Sequence, residues 1–164
     1  MDRANLGWLA GVLDGEGSLS ITVSINNGRP HPTCRVALYN SDESIIARAM
    51  QITSAVLGRP CRCYTMPPQK KSVPAKGAKL QMFAVVIAKQ GEVLRFLETV
   101  GPFMGCQDKI DKAMFLIQWC RLRVLAPHGY WQLPEEAQNL VIEYYRRWGR
   151  MSPEEAAEMF KQAV

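Results

Sequence analysis

Asp14 and Glu16 stand two residues apart, each followed by a glycine, in the stretch LAGVLDGEG (9–17). Carboxylates are residues of proton transfer and of oxygen ligation to hard cations, and glycine leaves the backbone beside them bare. The residues before them are of the opposite character. Leu6, Leu9, Val12 and Leu13 fall at helical spacing, which predicts a helix over residues 5–13, stopped by the glycines at 15 and 17. A carboxylate pair thus arrives at the mouth of a helix patterned for burial.

The elements that must position this pair are readable. SLSITVSIN (18–26) alternates, with Leu19, Ile21, Val23 and Ile25 on one face and Ser18, Ser20, Thr22, Ser24 and Asn26 on the other, the pattern of a half-buried strand with a polar face. NNGRPHP (26–32) reads as a turn. TCRVALYN (33–40) follows as a second strand, with Cys34, Val36 and Leu38 inward and Thr33, Arg35, Ala37 and Tyr39 outward, which completes a β-hairpin. Asn40 or Ser41 can cap the next helix, with Glu43 as capping-box partner of Asn40. Its stripe of Ile45, Ile46, Ala49, Ile52, Val56 and Leu57 ends at Gly58.

RPCRCYTM (59–66) and KLQMFAVVIA (79–88) predict two more strands, joined by a long basic loop with three prolines. Helices return in GEVLRFLETV (91–100), broken by Gly101 and Pro102, and in DKIDKAMFLIQWCRLRVL (108–125). PEEAQNLVIEYYRRWG and SPEEAAEMFKQAV complete the chain, the last opening on a capping box from Ser152 to Glu155. The expected fold is α+β: an αββαββα core around one antiparallel sheet backed by helices, plus C-terminal helices. The core resembles two αββ units in succession. No linker divides the chain, so a single domain over 1–164 is expected, with the core at about 5–125 and the additional helices at 134–164.

Charge narrows the partner. The net charge is +5, but residues 17–91 hold ten basic side chains against two acids, whereas residues 92–164 hold nine against ten. A local excess of this size is the footprint of a polyanion-binding face. The five cysteines have no metal-site spacing and only His31 and His128 could accompany them, so they read as structural thiols. No apolar run reaches the roughly 18 residues of a membrane span. No signal peptide is apparent, so an intracellular location, cytoplasmic, nucleoid or organellar, is expected.

LAGVLDGEG resembles, at all nine positions and with conservative departures, the signature of the LAGLIDADG homing endonucleases, DNA-cleaving enzymes with an αββαββα core. The order of elements agrees over residues 5 to about 120. The resemblance implies that Glu16, at the eighth position, is the metal-binding carboxylate, with the Gly15 carbonyl as a further oxygen. It implies Mg²⁺ as cofactor, with Ca²⁺ supporting binding without cleavage. Gly7, Gly11 and Gly15 recur every four residues with Ala10 beside them, a flat stripe that lets a second helix approach closely. In the family this helix pairs with a copy of itself. The chain has no second copy, which implies a homodimer with Gly7, Trp8, Ala10, Gly11 and Asp14 at its interface. Asp14 reads better as a structural residue at the helix end than as a ligand.

For auxiliary catalytic roles the resemblance points to Asp42, with Asn40 and Ser41 next to it, although all three can equally cap a helix. Lys109 suits the stabilisation of phosphate charge if a loop is two residues longer than usual, and Gln107 takes the position otherwise. Ser20, Thr22, Ser24, Asn26, Arg29, Thr33, Arg35 and Tyr39 would read base edges from the hairpin, joined by Arg62, Tyr64, Lys79 and Gln81 from the other two strands. Lys70, Lys71 and Lys76 would hold phosphates. The implied function is Mg²⁺-dependent, sequence-specific cleavage of both strands of a long, near-palindromic DNA site by a homodimer. An RNA-binding intron-splicing maturase and a non-catalytic DNA-binding regulator are alternatives on the same scaffold.

Overall fold

Asp2 starts the first helix: its carboxylate accepts the Ala4 N–H at 3.1 Å, and α1 runs Arg3–Glu16. The structure, a computed structural model, describes residues 2–27, 29–66, 81–125, 133–149 and 152–161. The helix is longer than its apolar spacing predicts and includes Gly15, because Gly17 is the residue that ends it. A side chain at Gly17 would overlap the carbonyl oxygen and the Cδ1 of Leu13. Only glycine lets the chain pass from helix into strand at that point without a loop. Leu6, Leu9, Ala10 and Leu13 face the core. Leu9 and Leu13 are wholly buried, worth about 1.5–3 kcal/mol each, which fixes the helix end that carries Glu16.

β1 (Gly17–Asn26) pairs antiparallel with β2 (Arg29–Asn40) over its full length, from Gly17 opposite Leu38 to Asn26 opposite Arg29. The turn is therefore much shorter than the predicted 26–32, and Asn27 takes a left-handed conformation (φ 52°) at it. Pro30, His31 and Pro32 belong to the strand. This is tolerated because β2 has a strand neighbour on its far side only from Val36 onward. The Cys34 N–H points to that side, donating to Gln90 Oε1 at 3.3 Å. Pro30 and Pro32 share its parity, so their missing donors fall where no ladder needs them.

α2 spans Glu43–Leu57 and ends at Gly58, which is left-handed (φ 69°). Its cap is Asp42 rather than Asn40 or Ser41: the Asp42 carboxylate accepts the Ser44 N–H at 2.8 Å, and Asn40 in turn accepts the Asp42 N–H at 2.8 Å. β3 (Cys63–Met66) and β4 (Met82–Ile87) are shorter than predicted. The sheet order is β1-β2-β4-β3, all antiparallel, so each αββ unit contributes one inner and one edge strand. α3 (Gln90–Val100), a 3₁₀ turn at Gly101–Phe103, α4 (Gln107–Leu125), α5 (Glu135–Trp148) and α6 (Pro153–Lys161) follow. The Ser152–Glu155 capping box forms as expected, with both reciprocal bonds made, at 2.8 and 3.1 Å.

One core joins the inner face of the sheet (Leu19, Ile21, Cys34, Val36, Leu38, Val85, Ile87) to residues of α1 to α5. α5 also reaches the sheet: the Tyr144 and Tyr145 hydroxyls donate to the carbonyls of Leu19 and Ile21 at 3.3 and 3.4 Å. Cover thins along the hairpin, from 2% exposure at Ile21 to 54% at Ile25 on the same face. The hairpin tip thus projects past the helices as a two-stranded ribbon. Among the described residues no helix is long and apolar enough to cross a membrane.

Candidate functional site

Glu16 is the last residue of α1 and is exposed; Gly15 beside it is exposed too. Two tethers tie this helix end to the start of α4, about 90 residues downstream. The Asp14 carboxylate accepts the Gly105 and Cys106 N–H groups at 2.7 and 3.2 Å through one oxygen. From the other direction, the Lys109 ammonium in the first turn of α4 donates to the Gly17 carbonyl. Asp14 is thereby a structural tie within its own chain, and its second oxygen is buried with no hydrogen-bond partner among the described residues. Lys109 is brought to the residue that follows Glu16, whereas the Gln107 amide donates to Asp111 on its own helix at 2.8 Å.

Asp42 is occupied differently. Its carboxylate accepts the Ser44 hydroxyl at 2.7 Å as well as the Ser44 N–H, and these bonds, the hydroxyl first, hold its pKa below the ordinary value. The stabilisation it lends is therefore complete at neutral pH and is lost as pH falls through the lowered native value. Asp42→Ala lowers the thermal midpoint by a few degrees at neutral pH and loses that effect in acid, while Asp42→Asn, itself a good cap, keeps most of the midpoint. Melting curves at neutral and at acid pH check this, and an Asp42→Ala midpoint equal to that of the wild type at neutral pH would show that the cap contributes nothing.

The outward face of α1 carries Gly7, Gly11 and Gly15, and a Cβ built at any of the three meets nothing within 4 Å among the described residues. Trp8 flanks the stripe under the Arg48 guanidinium, 4.3 Å from the ring centroid. Ala10 does not belong to it. It is fully buried, because position 10 shares a helix face with Leu6, Leu9 and Leu13 rather than with Gly11.

Register places the polar side chains of the hairpin on one face, in rows of Ser20 with Arg35, Thr22 with Thr33, Ser24 with His31 and Asn26 with Arg29. His31 is a member that the sequence reading assigned to the turn; the alternation of Thr33 and Arg35 continued backward would have found it. Its Nδ1 lies 3.4 Å from the Thr33 hydroxyl. Tyr39 and Tyr64 flank Ala84 on the same face. Ala37 lies on that face as well but is covered, at 1% exposure. Arg62 is exposed just outside β3. Gln81 bonds the Met66 and Met82 carbonyls at 2.8 and 3.3 Å, which ties β3 to β4. Lys70, Lys71, Lys76 and Lys79 lie outside the described residues.

The donor chemistry at the α1 end suits a hard divalent cation. It offers the Glu16 carboxylate, which makes no hydrogen bond or ion pair among the described residues, and bare glycine backbone. Among those residues no cluster of three or more His, Cys, Asp or Glu could hold a metal by itself. Mg²⁺ accepts such a sparse set, because it keeps several waters and takes phosphate oxygens from its substrate.

Solved structures match this architecture over almost the whole chain. I-Vdi141I, an archaeal intron-encoded homing endonuclease complexed with DNA, superposes with a TM-score of 0.71 at 13% identity, covering 99% of this chain and 98% of that one. I-CvuI, a homing endonuclease in complex with its target in the presence of Ca, gives 0.64 at 14%, covering 98% and 94%. The LAGLIDADG meganuclease I-CpaMI, bound to uncleaved DNA, gives 0.66 at 12%, covering 97% of this chain but 50% of that one. The fold is that of the LAGLIDADG homing endonucleases. No protein-family model and no curated protein matches the sequence. Within this fold, LAGVLDGEG occupies the helix end and strand start that Asp14 and Lys109 lock together.

Proposed function

We propose that the protein is a sequence-specific DNA endonuclease, dependent on Mg²⁺, that acts as a homodimer on a long, near-palindromic site. The observation that carries this reading is the delivery of a free carboxylate, Glu16, at the end of a helix whose outward glycine stripe is open, with Lys109 held beside it. One chain supplies a single such carboxylate; a second copy packed on the stripe brings its twin alongside. The correspondence of this chain to half of I-CpaMI supports a two-copy assembly. The projecting ribbon has the width of a major-groove reader, and its rows of hydroxyl, guanidinium and imidazole groups suit base edges.

In this reading Glu16 and the Gly15 carbonyl would hold the cation, whose chemistry when bound would be to polarise a phosphate and to lower the pKa of a coordinated water. Lys109 donates to the charge that develops on the phosphate, and Asp14 keeps α4 in register with α1 so that Lys109 stays in place. Lys109→Met therefore lowers the cleavage rate roughly 10²-fold with binding in Ca²⁺ little changed, and Gln107→Ala changes neither. Single-turnover rates on the cleaved site measure both; equal losses in the two variants would remove Lys109 from its role.

The reading is tested by incubating the protein with a randomised duplex library in Mg²⁺ and sequencing the ends. Recurrent double-strand breaks at one motif are the expected result. Retained binding with no broken ends would favour a regulator, and selective binding and faster splicing of an intron RNA would favour a maturase.

A further inference from the structure

α5 lies outside the elements that the motif and its strands account for, yet it touches both halves of the site. Tyr144 and Tyr145 donate to the β1 carbonyls, as described. Three residues on, the Trp148 indole N–H donates to Asp108 Oδ1 at 2.8 Å, across 40 residues of sequence. Asp108 is the residue before Lys109, in the same first turn of α4. Its other oxygen accepts the Lys112 ammonium at 2.8 Å, so the carboxylate is fastened on both sides. The indole itself has little freedom. Its ring packs edge-on against Phe115 at 5.4 Å and tilted against Tyr144 at 5.6 Å, with the Lys112 ammonium 5.7 Å from its centroid. A donor fixed in this way holds its acceptor more tightly than a mobile one, since the ordering cost is already met by packing.

We infer that Trp148 is a positioning residue for Lys109: through Asp108 it pins the first turn of α4, so that the Lys109 ammonium stays on the Gly17 carbonyl beside Glu16. The inference rests on the proposed endonuclease reading for its catalytic consequence, but not for its geometry.

The test compares the wild type with Trp148→Phe, which keeps an aromatic ring and loses only the donor, and with Asp108→Ala, an exposed residue whose loss does not threaten folding. The first measurement is competitive acetylation of lysines by acetic anhydride, read by mass spectrometry, with exposed Lys89 as internal reference. Lys109 should react at least about threefold faster in both variants than in the wild type, with Lys89 unchanged. Unchanged Lys109 reactivity in both variants overturns the inference. The second is cleavage of the library-selected site in Mg²⁺. The single-turnover rate should fall about tenfold in each variant with binding in Ca²⁺ unaltered, and Trp148→Phe should add nothing further in a Lys109→Met background. An additive loss there also overturns it. If the wild type cuts no DNA while the acetylation result holds, the endonuclease reading fails and the positioning of Lys109 by Trp148 stands.

Discussion

Glu16→Gln binds the cognate site in Ca²⁺ as the wild type does and leaves it uncut in Mg²⁺: this is the largest single-residue effect expected of the site. The substitution keeps the shape of the side chain and removes its charge. Glu16 is exposed and makes no hydrogen bond or ion pair among the described residues, so the fold places no demand on it. The thermal midpoint should stay within a degree or so of the wild type. A carboxylate without a structural partner, at a helix end held by two long-range tethers, is positioned for something that the chain itself does not contain. Metal-assisted charge stabilisation is worth several kcal/mol in the transition state, and about 1.4 kcal/mol is a factor of ten in rate, so the loss should reach about 10³-fold or more. Single-turnover cleavage alongside binding in Ca²⁺ gives the answer. A Glu16→Gln rate within tenfold of the wild type would remove Glu16 from the chemistry and with it the proposed mechanism.

Much of the frame behind that prediction was legible in the residues. The change from helical to alternating spacing falls at Gly17, where the backbone passes directly from helix to strand, and the sheet of two hairpins follows from the patterns of β1, β2 and β4. The departures have local causes. Pro30 and Pro32 made the first four residues of β2 read as part of a turn, and only the sheet order, which leaves that edge of β2 without a strand, shows why they fit. Asn40, Ser41 and Asp42 are three adjacent capping residues, and the choice fell on Asp42, whose carboxylate takes both the N–H and the hydroxyl of Ser44. Ala10 resembled part of the glycine stripe by adjacency in sequence, but one residue is about 100° of helix, enough to turn it into the core.

What the sequence does not carry is the set of contacts that closes the site. Asp14 and Gly105 are 91 residues apart, Lys109 and Gly17 are 92 apart, and Trp148 reaches Asp108 across 40. None of these pairs has a periodicity or a turn signal to announce it. The resemblance pointed to both Lys109 and Gln107, and no sequence signal announces that Lys109 is drawn to Gly17 while Gln107 turns to Asp111. α5 offered no motif at all, and its part emerges only from its hydroxyls and its indole on β1 and α4.

Gly11→Leu separates the needs of the chain from the needs of an assembly. Glycine in a helix interior costs about 0.8–1.0 kcal/mol relative to alanine, so three of them in α1 cost the helix roughly 2–3 kcal/mol. Nothing among the described residues requires them at 7, 11 and 15, since a Cβ at each meets open space there. Leucine at position 11 is therefore expected to leave the thermal midpoint of the monomer unchanged or higher. The same side chain stands in the middle of the face on which a second α1 would lie, and it holds the two backbones apart. The wild type should sediment as a dimer and Gly11→Leu as a monomer at the same concentration, with double-strand cleavage lost because Glu16 no longer meets its twin. Gly91→Leu serves as the control, because Gly91 is also exposed with open space at its Cβ but lies in α3, away from the stripe. A Gly11→Leu protein that still sediments as a dimer would place the interface elsewhere, and a stable monomer that still cuts both strands would show that one chain suffices for the reaction.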